Sequence, residues 1–202
     1  MSPVNRCPTH WRALLEAFLV STLVVAVGEI GDKTQLLALM LAARFRRPLP
    51  IMLGILLATL ANHSLAGLAG EWIRTAMSPE VLRWAVGLSF IAVAVWAFIP
   101  DKLDAEAGTV GRFGVFFITL VSFFLVEMGD KTQVATVVLA AKFNALVPVV
   151  SGTTLGLLLA NLPAVYLGKM AAPRIPFRLV RAIAAAIFAA LGVATLAGFD
   201  TI

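Results

Sequence analysis

The sequence predicts an all-α integral membrane protein with six transmembrane helices arranged as two inverted three-helix repeats. Three observations carry this. Of the 202 residues, 60% are hydrophobic and 13% charged, with a mean hydropathy of +0.95, outside the range of soluble globular domains. A heptapeptide bearing three charges occurs twice, as Glu29-Ile30-Gly31-Asp32-Lys33-Thr34-Gln35 and Glu127-Met128-Gly129-Asp130-Lys131-Thr132-Gln133, each time inside a long apolar stretch. The offset between the two, 127 − 29 = 98, also pairs Ser21 with Thr119, Pro50 with Pro148, Gly54 with Gly152, Gly70 with Gly168, Arg83 with Arg181 and Phe90 with Phe188. Matches spread this widely mark an internal duplication.

Taken in order, the chain first gives a short stretch with Pro3, Cys7 and Pro8, then an apolar run too long for a signal-peptide core. An uncleaved first helix is expected. The lone Cys7 cannot form an internal disulfide. The first span runs from about Trp11 to Phe45. As one straight helix it would be roughly 50 Å long against a hydrocarbon core of about 30 Å, so it must tilt, bend or break. Gly28 and Gly31 flank Glu29 and are the natural places for local unwinding. The second span covers about Pro50 to Ile73, with Asn62 and His63 near its middle, and the third about Val81 to Ile99, a scaffold helix. Residues 100–111, with Asp101, Asp104 and Glu106, form the expected linker. The fourth span is then about Arg112 to Lys142, the fifth Val147 to Leu167 and the sixth Phe177 to Phe199. The expected organisation is one membrane domain over 1–202, with repeat one at about 11–99 and repeat two at about 112–199. No length remains for a separate soluble domain.

Three spans separate the two motifs, and an odd number sends the halves through the bilayer in opposite directions. Inverted repeats of this kind build many secondary transporters, with substrate sites at the repeat interface near the midplane. Outside the motifs, one side of the membrane carries Arg44, Arg46, Arg47, Lys102, Arg112, Lys169, Arg174, Arg178 and Arg181. The other carries Arg6, Arg12, Arg74, Arg83 and Lys142. The positive-inside rule therefore predicts that both termini face away from the cytoplasm. Most of these cations flank apolar segments, so the formal charge of +5 reflects lipid headgroups and topology, and nucleic acid is excluded as a partner. Trp11, Trp72, Trp84 and Trp96 fall near span ends, as interfacial anchors do.

An ionised side chain at the centre of a spanning helix costs roughly 2.5–3.5 kcal/mol on insertion scales, so three in each motif point to function. The weaker reading is a structural polar knot in which the lysines neutralise their neighbours and pin two helices together. On a continuous helix, Glu29, Asp32 and Lys33 share a face, as do Glu127, Asp130 and Lys131. Thr34, Gln35, Thr132 and Gln133 add neutral oxygens, and mid-span Asn62 and Asn161 offer a carbonyl ligand or interhelical hydrogen bonds. These are hard oxygen donors without thiolate, which suits calcium, magnesium or manganese over zinc or copper. Four carboxylates and two ammonium groups sum to −2, a deficit that one divalent cation or two protons would cancel. Lys33 and Lys131 are either resident counter-charges or i,i+4 partners of Glu29 and Glu127. Asn161 falls 99 residues after Asn62, a slip of one from the offset, and His63 is unmatched in the second half, where Pro163 lies near the corresponding place; it reads more readily as a packing histidine than as a ligand. The Gly and Ala of spans two, five and six, such as Gly152, Gly156 and Ala184 to Ala186, read as permitting close helix approach more than as shaping a pore.

The duplicated E-x-G-D-K-T motif in two three-span halves resembles the membrane divalent-cation exchangers that include bacterial manganese exporters and Golgi calcium/manganese–proton antiporters. The resemblance covers the whole chain, and both copies match the motif without departure. It implies export of Mn²⁺, or Ca²⁺, in exchange for H⁺, with Glu29, Asp32, Glu127 and Asp130 as the cation-binding acids and no resident cofactor. The short connection between halves and the lack of an extra leading span resemble bacterial members, which implies a multi-pass protein of the cell inner membrane. Three rival readings stand beside it. An intramembrane aspartyl protease would use paired buried aspartates, but its G-x-G-D signature lacks the acid and the lysine found here. A passive cation channel fits poorly with a lysine in each motif. An exporter of basic amino acids would have the right size, but these acids are better disposed for a compact dication.

Overall fold

A computed structural model describes residues 8–98, 114–167 and 177–198; the expected linker at 100–111 and Cys7 lie outside the described residues. Eight helices follow in order: α1 (Pro8–Glu29), α2 (Lys33–Phe45), α3 (Pro48–Ala76), α4 (Pro79–Ala97), α5 (Val115–Glu127), α6 (Lys131–Phe143), α7 (Leu146–Leu167) and α8 (Phe177–Ala197). Among the described residues there is no strand. Stretches in four of them, Trp11–Glu29, Pro48–Ala76, Pro79–Ala97 and Leu146–Tyr166, are long and apolar enough to cross a membrane, and Val115–Glu127 and Ala182–Ala197 are shorter apolar helices.

The second, third, fifth and sixth expected spans correspond to α3, α4, α7 and α8, with ends shifted by a few residues. The first and fourth differ. Each is two helices, α1 with α2 and α5 with α6, separated at the motif itself. The excess length of these runs over a bilayer is therefore absorbed by a break, and the charged residues lie at helix ends.

Packing exchanges the halves. The largest contacts are α1 on α7 and α4 on α8, followed by α5 on α3 and α3 on α6 and α7. In hydrocarbon there is no hydrophobic drive between helices, so close fit decides association and small residues are favoured where backbones meet. A Cβ added to Gly54 of α3 would lie 2.7 Å from Thr119 Cβ and 2.9 Å from the Phe116 carbonyl oxygen of α5. One added to Gly152 of α7 would lie 3.1 Å from Ser21 Cβ and 2.5 Å from the Phe18 carbonyl oxygen of α1. These two sets are related residue for residue by the offset of 98, so the glycines expected to permit close approach do so, each against the opposite half. Phe90 and Phe188, another offset pair, meet each other across α4 and α8 with ring centroids 6.3 Å apart.

Outward faces carry Leu19, Leu23, Leu57, Val121 and Leu125, all exposed. Inward faces bury Leu37, Leu41, Ile51, Ile55, Phe123 and Leu157 in one cluster. Helices apolar on both faces belong in lipid.

Candidate cation site

The two breaks are built alike. Gly31 and Gly129 hold φ of 82° and 78°, a left-handed conformation that glycine adopts without a Cβ penalty. Asp32 and Asp130 follow in extended backbone and cap α2 and α6, their carboxylates accepting from the N–H groups of Lys33 and Lys131 at 2.6 and 2.7 Å. The turn closes as the Asp32 N–H donates to the Glu29 carbonyl and the Asp130 N–H to the Glu127 carbonyl, each at 3.1 Å. Gln35 and Gln133 reach back from the first turn beyond the break. Their side-chain oxygens accept from the Gly31 and Gly129 N–H groups at 2.9 and 2.6 Å. The sequence grouped Glu, Asp and Lys on one face of a continuous helix, but the structure gathers them at an interruption, with Glu at the negative end of one helix and Asp at the positive end of the next.

The two breaks meet. Ligand-capable oxygens of Glu29, Glu127 and Asp130 all lie within 4.8 Å of one another, and all three residues are buried. Asp32, also buried, is not in this group of three; its Oδ2 lies 3.3 Å from Lys131 Nζ. Lys33 Nζ lies 3.4 Å from Asp130 Oδ1. Each lysine thus reaches the aspartate of the other motif, a crossed arrangement that neither an i,i+4 pairing within a motif nor the sequence itself anticipates. Met128, where the first motif has Ile30, is 56% exposed and points away from the acids.

The supporting residues divide. The Thr34 hydroxyl donates to Glu29 Oε2. Thr132 is buried against α1, its methyl carbon 3.8 Å from where a Cβ on Gly28 would stand. Gln35 uses both ends of its amide, since its nitrogen also donates to the Ala160 carbonyl at 2.8 Å. Asn62 donates to the Phe124 carbonyl of α5 at 2.9 Å and Asn161 to the Leu157 carbonyl of its own helix at 3.0 Å. Both are fully buried, and their side-chain oxygens have no hydrogen-bond partner among the described residues. A crevice with free volume of about 10 Å³, roughly one water, reaches Asp32 and Lys131 beside Gly28, Gly31, Ala97 and Ala184.

One residue was set aside by the sequence reading and stands beside this cluster. His63 of α3 is fully buried, with Nε2 3.7 Å from Glu127 Oε2. The offset of 98 pairs it with Asn161, 161 − 63 = 98. Pairing Asn62 with Asn161 by identity, one residue out of register, concealed the match.

Buried acids gathered where two broken apolar helices meet define a membrane ion transporter. A family profile described as "Divalent cation/proton antiporter GDT1" matches residues 17–105 and 115–200, and the chain belongs to that family. It is a family of transporters, not enzymes, which removes the protease reading. A protein of Vibrio cholerae named "Putative manganese exporter" is 46% identical over 195 residues, covering 96% of each chain. A GDT1-like protein of Synechocystis is 30% identical over 87% of this chain and 94% of its own, and a GDT1-like protein of Oryza sativa is 29% identical over 90% and 74%. No solved structure matches the chain.

Proposed function

We propose that this protein exports Mn²⁺ in exchange for protons, from a single site shared by two inverted three-span repeats in the cell inner membrane, with both termini outside the cytoplasm. The observation that carries the reading is the convergence of Glu29, Glu127 and Asp130 within 4.8 Å in the buried centre of the protein. The motif acids and lysines sum to −2, so one dication or two protons brings the cluster to neutrality. Glu29 and Glu127 end α1 and α5, where helix dipoles add partial negative charge and favour a cation. Asp32 and Asp130 complete the acid set. Lys33 and Lys131 are counter-charges held on the aspartates of the opposite motif, released as a dication arrives. Thr34, Thr132, Gln35 and Gln133 hold the carboxylates and the breaks, and Asn62 and Asn161 present carbonyl oxygens toward the buried interior. Loading from one face and release to the other follow from rocking one repeat against its partner.

A Ca²⁺/H⁺ antiporter of the same build is the second reading, favoured by the all-oxygen character of the acid group. Proteoliposomes holding a pH dye decide among the readings. Imposed Mn²⁺ gradients should drive proton movement in the native protein, and Glu29→Gln should abolish it. Unchanged coupling in that variant would refute the assignment. Flux indifferent to a pH gradient would favour a channel, and Ca²⁺ moving in preference to Mn²⁺ would favour the second reading.

A further inference from the structure

His63 breaks the symmetry of the site. The charged and amide residues of the two motifs pair like with like at the offset of 98, whereas His63 of α3 pairs with Asn161. Its ring is fully buried, and neither nitrogen has a hydrogen-bond partner among the described residues. A neutral imidazole offers one N–H donor and one lone pair. Leaving both unsatisfied in a protein interior is unfavourable, and an exception of this kind calls for a missing partner.

The position of the ring indicates what that partner is. Nε2 lies 3.7 Å from Glu127 Oε2. For metal–ligand lengths of about 2.0–2.6 Å, adjacent ligands of one octahedral ion stand roughly 2.8–3.7 Å apart and opposite ones roughly 4.0–5.2 Å. At 3.7 Å the imidazole nitrogen and the carboxylate stand at the wide end of the spacing of adjacent ligands, so a small inward movement would set both on one ion, and Glu127 is also a member of the acid group with Glu29 and Asp130. His63 stands on the unbroken α3, so a nitrogen donor is presented from a helix that carries no motif.

We infer that His63 is a ligand of the transported dication and the residue that selects manganese over calcium. Mn²⁺ shares the oxygen preference of Ca²⁺ and Mg²⁺ and binds most weakly of the first-row dications, but as a transition-metal ion it accepts an imidazole nitrogen in place of one oxygen, which the all-oxygen coordination of Ca²⁺ does not favour. With Asn161 at the equivalent place in the other half, one nitrogen among oxygens discriminates against calcium without the tight hold of several nitrogens, which would hinder release. This inference rests on the proposed cation site and adds the basis of its selectivity.

The test compares wild-type protein with His63→Asn, which installs the residue that the other half carries. In proteoliposomes the ratio of Mn²⁺ to Ca²⁺ flux should fall by at least about tenfold. An unchanged ratio would overturn the inference. A variant that transports neither ion is decided by a measurement on the native protein alone. Electron spin-echo modulation of bound Mn²⁺ should carry a ¹⁴N imidazole signature, and its absence would overturn the inference equally. Glu29→Gln in the same vesicles keeps the two proposals apart. If it transports normally, the site itself is misassigned; if it is dead while His63→Asn keeps the native ratio, only the role of His63 falls.

Discussion

Lys33→Met distinguishes a counter-charge from a structural lysine. The ammonium lies 3.4 Å from Asp130 Oδ1, and its side chain is 21% exposed. At an effective dielectric of about 20, two unit charges at that distance attract by about 5 kcal/mol. Partial exposure and the desolvation of both groups reduce the net effect, and removing one partner of a buried pair typically costs about 3–5 kcal/mol. The lower end applies here, so the variant should unfold well below the native protein in the absence of metal. Asp130 belongs to the acid triad, so the same change raises the triad's negative charge and removes a cation that repels the incoming dication. Mn²⁺ affinity should rise by at least tenfold, about 1.4 kcal/mol, and saturating Mn²⁺ should stabilise the variant more than the native protein. Lys131→Met should destabilise similarly but tighten Mn²⁺ less, because its partner Asp32 stands outside the triad. Thermal unfolding in detergent across a Mn²⁺ titration measures both effects. A stability loss that Mn²⁺ does not relieve, or an unchanged affinity, would refute the counter-charge role.

Other variants probe the break and the helix contacts. Thr34→Val removes the hydroxyl that donates to Glu29 and should raise the Mn²⁺ concentration for half-maximal flux several-fold, with Thr34→Ser restoring it; equal behaviour of the two would refute the role. Gly129→Ala adds a Cβ into open space at φ +78° and should destabilise by only about 1–2 kcal/mol. Gly152→Ala would press on the Phe18 carbonyl and force α1 from α7, so its melting temperature and folded yield should fall further than those of Gly129→Ala.

Much of this was legible in the sequence because duplication writes its own alignment. The motif pair and its offset predicted a meeting of the halves at the charged clusters, the glycine pair 54/152 marked close helix approach, and Gly28 and Gly31 marked where a long run would give way. The face shared by Glu29, Asp32 and Lys33 was misjudged because i,i+4 reasoning assumes an unbroken helix. Once Gly31 takes a left-handed turn, Asp32 becomes a cap and Lys33 opens a new helix aimed across the interface. The match of His63 to Asn161 was missed for a related reason. Adjacent residues on a helix diverge by about 100°, so an alignment one residue out of register interchanges the one that bonds α5 at Phe124 with the one that faces Glu127.

The crossed ion pairs also bear on the polar-knot reading. When two like units meet about an approximate twofold, a contact from the first to the second recurs with the roles exchanged, and Lys33 on Asp130 at 3.4 Å implies Lys131 on Asp32, found at 3.3 Å. A knot whose purpose is to join two helices would be complete at that stage, with each ammonium on a carboxylate and no net charge. Two acids are left over. They are Glu29 and Glu127, fully buried and brought together with Asp130. Holding two further carboxylates this close in a low-dielectric interior is unfavourable unless positive charge is supplied from outside the protein. Adhesion between helices gives no reason for such an excess. The proposed exchange of a dication for protons at this site accounts for the excess.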